Sequence, residues 1–286
     1  MSATVPTGQQ SESDVLDVRA DVWQKRPLLR DIYNRYFAEM LSLLATPENA
    51  HGQFGLILEL GGGSGNFKEF FESRPPSHSS LLTSHFSANP GTLIASDVVP
   101  TRHCHLAADA MALPFPDNSL DNILMQDVLH HIPFPLQFLA EAQRTLRPGG
   151  RIIMTEPYIS PASRLIFKFA HPEPVVPSAS IFSDDAAPDP SPLRGSGAFA
   201  SNQATPTRLF YKDLAKFRRR FPQLQLLTRR RRSLLVYPLS GGFSGPQLIP
   251  APLRKLAWAC ESLLRPLAPL MAFRLVIALQ KLPPPP

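Results

Sequence analysis

The chain has 286 residues, 43% hydrophobic and 18% charged, which excludes a disordered or fibrous protein and suits one elaborated domain or two small ones. Its net charge of +6 is unevenly divided: residues 1–206 carry −7 and residues 207–286 carry +13, so two surfaces with different partners are expected. The two cysteines, Cys104 and Cys260, have no metal-ligand spacing around them, so neither a disulfide framework nor a metal site is expected.

The polar start, MSATVPTGQQSESD, has no apolar core that would serve as a signal peptide, and residues 1–14 read as a disordered tail. No uninterrupted apolar run reaches about 18 residues. The best candidate, 256–280, is broken by Glu261, Arg265 and Arg274, so a cytoplasmic protein is expected. From Val15 to Leu44, apolar residues recur at spacings of three and four, which predicts a helical cover over 15–48. An α/β core is expected over 49–171. Phe54 to Leu60 reads as a buried parallel strand, followed by the turn Gly61–Gly65 and a helix from Asn66. Further strands are predicted at 92–96, 105–108, 120–125 and 151–155, with a helix over 138–146 that stops at Arg147-Pro148-Gly149-Gly150. Strands alternating with helices imply a mostly parallel, doubly wound sheet.

Seven prolines fall among the 35 residues of 172–206, which read as an insertion or lid. Patterning resumes over 207–286, a basic part expected to complete the sheet: a helix at 209–221, a strand at 224–227, helix over 250–270 and a strand at 273–279.

The central motif is Glu59-Leu-Gly-Gly-Gly-Ser-Gly65, giving E-x-G-x-G-x-G between strand and helix. Glycines there allow a sharp turn and close approach of a ligand to the backbone, in the crevice where open α/β sheets bind. The dinucleotide fingerprint would need glycine at position 66, where this chain has Asn66. The segment resembles motif I of the class I S-adenosylmethionine (SAM)-dependent methyltransferases, which implies a seven-stranded Rossmann-like sheet and SAM as cofactor. The resemblance puts Glu59, Gly61, Gly63 and Gly65 beside the methionine moiety, and Asp97, ending the second strand, on the ribose hydroxyls. Asp97 lies 32 residues past Gly65, a longer gap than the roughly 20 of dinucleotide folds. Asp109-Ala110 and Leu113-Pro-Phe-Pro-Asp-Asn-Ser-Leu-Asp121 are similar to a run in the subgroup that includes ubiquinone and menaquinone biosynthesis enzymes. There Asp109 would bond the adenine amino group and Ala110 would offer a backbone contact. Asp117, Ser119 and Asp121 read as turn formers.

Gln126 and Asp127, at the carboxyl end of the fourth strand, are expected to face the methyl donor. His130 and His131 follow as candidate general bases, at most one facing the site because successive helical residues point about 100° apart. Glu156, Tyr158 and His171 complete the candidate catalytic residues. Glu173 belongs with that second group, and Trp23, Lys25 and Tyr33 are candidates to close over the site.

The expected function is methyl transfer from SAM to a small-molecule or lipid-like acceptor. A non-catalytic SAM-fold binding or assembly protein and an RNA-directed methyltransferase remain alternatives. Arg218–Arg220, Arg229–Arg232 and the apolar 250–270 stretch suggest peripheral contact with an anionic membrane. Nucleic acid is not favoured, because the arginines lack interleaved aromatic residues.

Overall fold

The computed structural model describes residues 12–46, 54–73, 91–171, 173–183, 189–195 and 200–284. Most of the expected tail, the 74–90 part of the long loop and parts of the 172–206 insertion lie outside these residues.

Helix α1 (Glu12–Lys25) starts inside the expected tail, and α2 (Pro27–Leu41) follows after one residue. The single helix predicted over 15–44 is therefore two. Arg26 has φ −118° and ψ 85°, the extended region favoured before proline, and Pro27 starts the next helix where its missing N–H costs nothing.

Five strands are mutually parallel: β1 (Leu56–Leu60), β2 (Thr92–Asp97), β3 (Leu106–Ala107), β4 (Leu120–Gln126) and β5 (Leu146–Pro157). With β6 (Leu224–Arg232) and the antiparallel β7 (Arg274–Lys281) they form one seven-stranded sheet of order β3-β2-β1-β4-β5-β7-β6. Helix α3 (Asn66–Glu72) follows the glycine turn, α4 (Pro135–Thr145) links β4 to β5, and α5 (Pro161–Ala170) leaves β5. Strand order reverses between β1 and β4, so the crevice beyond their carboxyl ends is the topological switch point where such sheets bind ligands.

One face of the sheet is covered by α2 and α3, where Phe37 meets Phe67 edge-on at 5.3 Å and Tyr33 meets Tyr36 at 5.5 Å. The other packs against Phe138, Leu139, Phe210 and Phe217. Asn122 ties the α2 side to the sheet: its Oδ1 accepts from the Ala45 N–H at 2.7 Å and its Nδ2 donates to Ala45 O and Phe54 O. Asp121 is not a turn former. It lies buried in β4, accepts the Leu56 N–H at 2.7 Å and pairs with both Arg147 contacts at 2.9 Å.

The helix predicted over 209–221 runs from Thr205 to Arg220 with a π turn at Arg208–Lys212, then α6 (Leu214–Arg220). The Asp213 N–H reaches Arg208 O at 2.7 Å, and the Arg208 guanidinium holds the Asp213 carboxylate at 2.6 Å, fixing the widened turn.

Of the two arginine runs, Arg218–Arg220 at the end of α6 is exposed, whereas Arg229–Arg232 is engaged by the fold. Arg230 and Arg232 of edge strand β6 pair with Glu39, while Arg229 and Arg231 lie over the Tyr211 ring at 4.2 and 4.5 Å. Helix α7 (Arg254–Leu263) and the short turns Arg265–Leu267 and Ala268–Met271 lead into β7. Among the described residues, no helix is long and apolar enough to cross a membrane.

Candidate active site

A cavity of about 490 Å³ occupies the switch-point crevice, within the size range of small-molecule sites. The turn after β1 forms its floor. Gly61 has φ +72°, and a Cβ there would stand 2.2 Å from Val128 Cγ2, so no side chain fits. Gly63, at φ +45°, donates its N–H to Asp97 Oδ2 at 2.9 Å, and Asp97 Oδ1 accepts from Val99 N–H at 3.1 Å. Each carboxylate oxygen thus keeps a further lone pair for a ligand hydroxyl. Gly62, Ser64 and Asn66 also line the cavity, whereas Gly65 turns away beneath the His103 ring and shapes the entry to α3.

Glu59 lines the cavity although it is only 5% exposed, and its Oε2 has no hydrogen-bond partner. Burial, reinforced by Asp97, pushes its carboxyl up from 4.5 to about 8. The folded chain holds this proton between pH 4.5 and 8 while the unfolded chain releases it. Stability should therefore fall as pH rises through that window, by up to about 1.4 kcal/mol per pH unit, and level off above it. Urea unfolding of wild type and Glu59→Gln across this range checks the effect, and identical pH slopes would refute it.

Asp109 and Ala110 also line the cavity; Asp109 Oδ1 accepts the Met111 N–H at 2.8 Å and its side chain is exposed. At the end of β4, Asp127 adopts φ +60°, a rare conformation for a side-chain-bearing residue. It is held by Tyr33 Oη at 3.1 Å, Gln126 Nε2 at 2.9 Å and the buried Arg274 guanidinium of β7. Burial opposes its ionisation, but Arg274 and His130 overcome that and keep the carboxyl below its ordinary value. Gln126 leaves its Oε1 without a partner beside the cavity.

Of the candidate catalytic residues, His131 alone lines the cavity. His130 is buried and clamped, with Nδ1 2.7 Å from Glu156 Oε2 and Nε2 3.2 Å from Glu173 Oε2. Burial works against its charge, but the two carboxylates raise it to about 10, so it is no free base near neutral pH. Burial and the His130 charge push His131 down to about 4. Its Nδ1 lies 3.1 Å from Ala200 O, which can only accept, so Nδ1 carries the proton and Nε2 is bare.

Glu156 is fully buried, its Oε1 accepting the Val128 and Leu129 N–H groups at 2.9 and 2.8 Å. Tyr158 packs in the core against Tyr211, with Arg231 over its ring. His171 leans on Phe167 at 5.3 Å and accepts the Glu173 N–H. These three do not reach the cavity. The residues expected to close over the site divide likewise: Tyr33 lines it, Trp23 is core, and Lys25 pairs with Asp21.

Sequence reasoning missed Leu16, Arg19 and Phe243 in the cavity wall and Arg274 behind Asp127. A lone arginine in an otherwise apolar strand was the available signal for Arg274.

The side-chain-free floor, the spare Asp97 lone pairs and the unpartnered Glu59 and Gln126 oxygens fit a cofactor with a ribose and a polar amino-acid end. The family model described as "Methyltransferase domain" matches residues 58–154. An uncharacterized methyltransferase of Mycobacterium avium is 33% identical over 110 residues, 38% of this chain and 41% of that protein. A ubiquinone/menaquinone biosynthesis C-methyltransferase of Hahella chejuensis is 24% identical over 163 residues, 56% of this chain and 65% of that one. The chain thus spans less than two thirds of these relatives. The crystal structure of a SAM-dependent methyltransferase from Archaeoglobus fulgidus is similar over 88% of this chain and 94% of that one, at 12% identity and a TM-score of 0.48. Residues 58–154 thus match a methyltransferase domain, and they hold the glycine turn, Asp97 and the strands β2 to β4 around the cavity of the seven-stranded sheet.

Proposed function

We propose that the protein transfers a methyl group from SAM to a small-molecule or lipid-like acceptor. The observation that carries this reading is the single cavity joining Gly61–Gly63 and Asp97 to a second wall of His131, Arg19 and Phe243, which leaves room for an acceptor beside the cofactor. Glu59, Gly61, Gly63 and Asp97 would hold the methionine and ribose parts, and Asp109 with Ala110 the adenine. When bound, SAM supplies an electrophilic methyl on a sulfonium. The protein's part is alignment and exclusion of water. Asp127, fixed by Tyr33 and Arg274, sets the backbone at the end of β4, and Phe243 and Leu16 supply apolar cover. Calorimetry with SAM, followed by labelled methyl transfer into fractionated small-molecule and lipid extracts, tests the reading. Absence of SAM binding would overturn it, and binding without transfer to either fraction would favour a non-catalytic role.

A peripheral membrane contact belongs to the same proposal, through the exposed apolar side chains of α5 and the C-terminal helical region. Helix α5 exposes Leu165, Ile166 and Phe169, and the Ala268–Met271 turn packs beside it. Leu253, Leu256, Leu263, Leu267 and Leu270 are also exposed along this C-terminal helical region, and Leu263 is 80% exposed. Arg164, Lys168, Lys255 and Arg265 are interspersed with them. Apolar side chains with cations among them suit an anionic lipid interface. Wild type should float with vesicles containing phosphatidylserine and bind less at high salt. Leu263→Glu combined with Leu270→Glu should weaken binding at least about tenfold, since burying one leucine is worth roughly 1.5–3 kcal/mol. No flotation, or equal flotation of the double variant, would remove the membrane contact.

A further inference from the structure

His130, His131 and Glu173 converge behind the stretch of cavity wall that His131 lines, each offering a ligand atom within 4.8 Å of the others. His131 Nε2 lies 3.7 Å from Glu173 Oε1 and His130 Nε2 3.2 Å from Glu173 Oε2. Donors bound to one tetrahedral zinc ion at its usual bond lengths stand about 3.3–3.5 Å apart, so the two measured edges bracket that value.

Both imidazoles are oriented from behind. The Nδ1 of His130 is held by Glu156 at 2.7 Å, and that carboxylate is itself fixed by two backbone N–H groups. The Nδ1 of His131 is held by Ala200 O at 3.1 Å. Both Nε2 atoms are thereby aimed at one carboxylate, the outer-shell pattern typical of metal-binding histidines. Gln203 Nε2 donates to Glu173 Oε2 and orients the third ligand. A structural ion pair would need only His130 between its two carboxylates. It would not need a second, bare imidazole nitrogen facing the same Glu173. Arg19, with Nη2 3.6 Å from Glu173 Oε1, is the competing cation in this structure.

We propose that His130, His131 and Glu173 bind one divalent first-row metal ion, zinc or a close relative, with an open position facing the cavity through His131. Two imidazoles and one carboxylate with a vacant fourth site form a catalytic rather than a structural metal centre. The open position would take an oxygen of the acceptor, which narrows the acceptor to a hydroxyl- or carboxylate-bearing molecule. That narrowing rests on the methyltransferase reading, whereas the metal binding itself does not.

The test uses the full chain, stripped with a chelator, reloaded with cobalt(II) and desalted. One cobalt per chain with the intense visible absorption of a four- or five-coordinate ion is expected. Glu173→Gln and His131→Ala should each bind at least about 100-fold more weakly, with far-UV circular dichroism confirming that they fold. Wild type that emerges without cobalt, or shows only the weak spectrum of the hexaaqua ion, overturns the site without recourse to any variant. Equal uptake by folded Glu173→Gln and His131→Ala also overturns it. SAM calorimetry on the same preparation separates the two readings: lost cobalt with retained SAM binding removes the metal site alone, and the reverse removes only the SAM reading.

Discussion

Gly63→Arg is expected to abolish SAM binding while leaving the chain folded. Gly63 has φ +45°, and placing any L side chain there costs about 1–2 kcal/mol, well below the 5–15 kcal/mol that holds a typical domain together. A Cβ at Gly63 would sit 3.2 Å from Leu16 Cδ2 and 3.9 Å from Asp97 Oδ2, so the side chain must enter the cavity. An arginine there would also pair with Asp97 and occupy the lone pairs assigned to the ribose. Asp97→Ala attacks the same contact from the other side. Two charge-assisted hydrogen bonds at about 1.5–3 kcal/mol each correspond to roughly 10²–10⁴-fold in affinity. The alanine also frees the Gly63 and Val99 N–H groups that Asp97 now holds. Calorimetry on both variants, with melting curves confirming folding, checks the pair. Unchanged affinity in both would remove the cofactor site from this loop.

The glycine turn was legible because everything that makes it is local: a strand, a reversal that excludes side chains, and a helix, within about a dozen residues. Strand β1 begins two residues later than predicted, β4 runs one residue past its predicted end and β5 extends beyond both of its own, because strand limits depend on pairing that the local pattern does not carry. Partners brought together by topology were not legible. Arg274 reaches Asp127 across 147 positions, and only the antiparallel insertion of β7 beside β5 makes them neighbours. His130 and Glu156 looked like reacting groups because titratable residues at strand ends usually face the crevice. In the fold the 200–207 segment seals them: the Asn202 N–H bonds His130 O at 2.8 Å and Gln203 covers Glu173. The Arg229–Arg232 run likewise gave a charge but not its partners, which are Glu39 on α2 and the Tyr211 ring. Charge sums describe a surface only when the fold leaves the charges unpaired.

Glu156→Ala is expected to cost about 3–5 kcal/mol, enough to unfold a large fraction of a marginally stable domain. Its carboxylate takes three buried donors: the Val128 and Leu129 N–H groups at 2.9 and 2.8 Å and His130 Nδ1 at 2.7 Å. Alanine removes the acceptor from all three, leaving two backbone N–H groups unmatched and His130 with Glu173 alone. Glu156→Gln separates this scaffold role from a chemical one. Its oxygen can still receive the two backbone N–H groups, but its NH₂ then faces the Nδ1 of His130, donor against donor. A smaller loss of about 1–3 kcal/mol should follow, seen as a lower urea midpoint with an unchanged slope. A residue acting on the acceptor would behave in the opposite way, with turnover lost and the midpoint unmoved, and that outcome would return Glu156 to the reaction. The full burial of its carboxylate and the three donors on its two oxygens favour the scaffold, because the one lone pair left on Oε2 is shut inside the protein and does not reach the cavity.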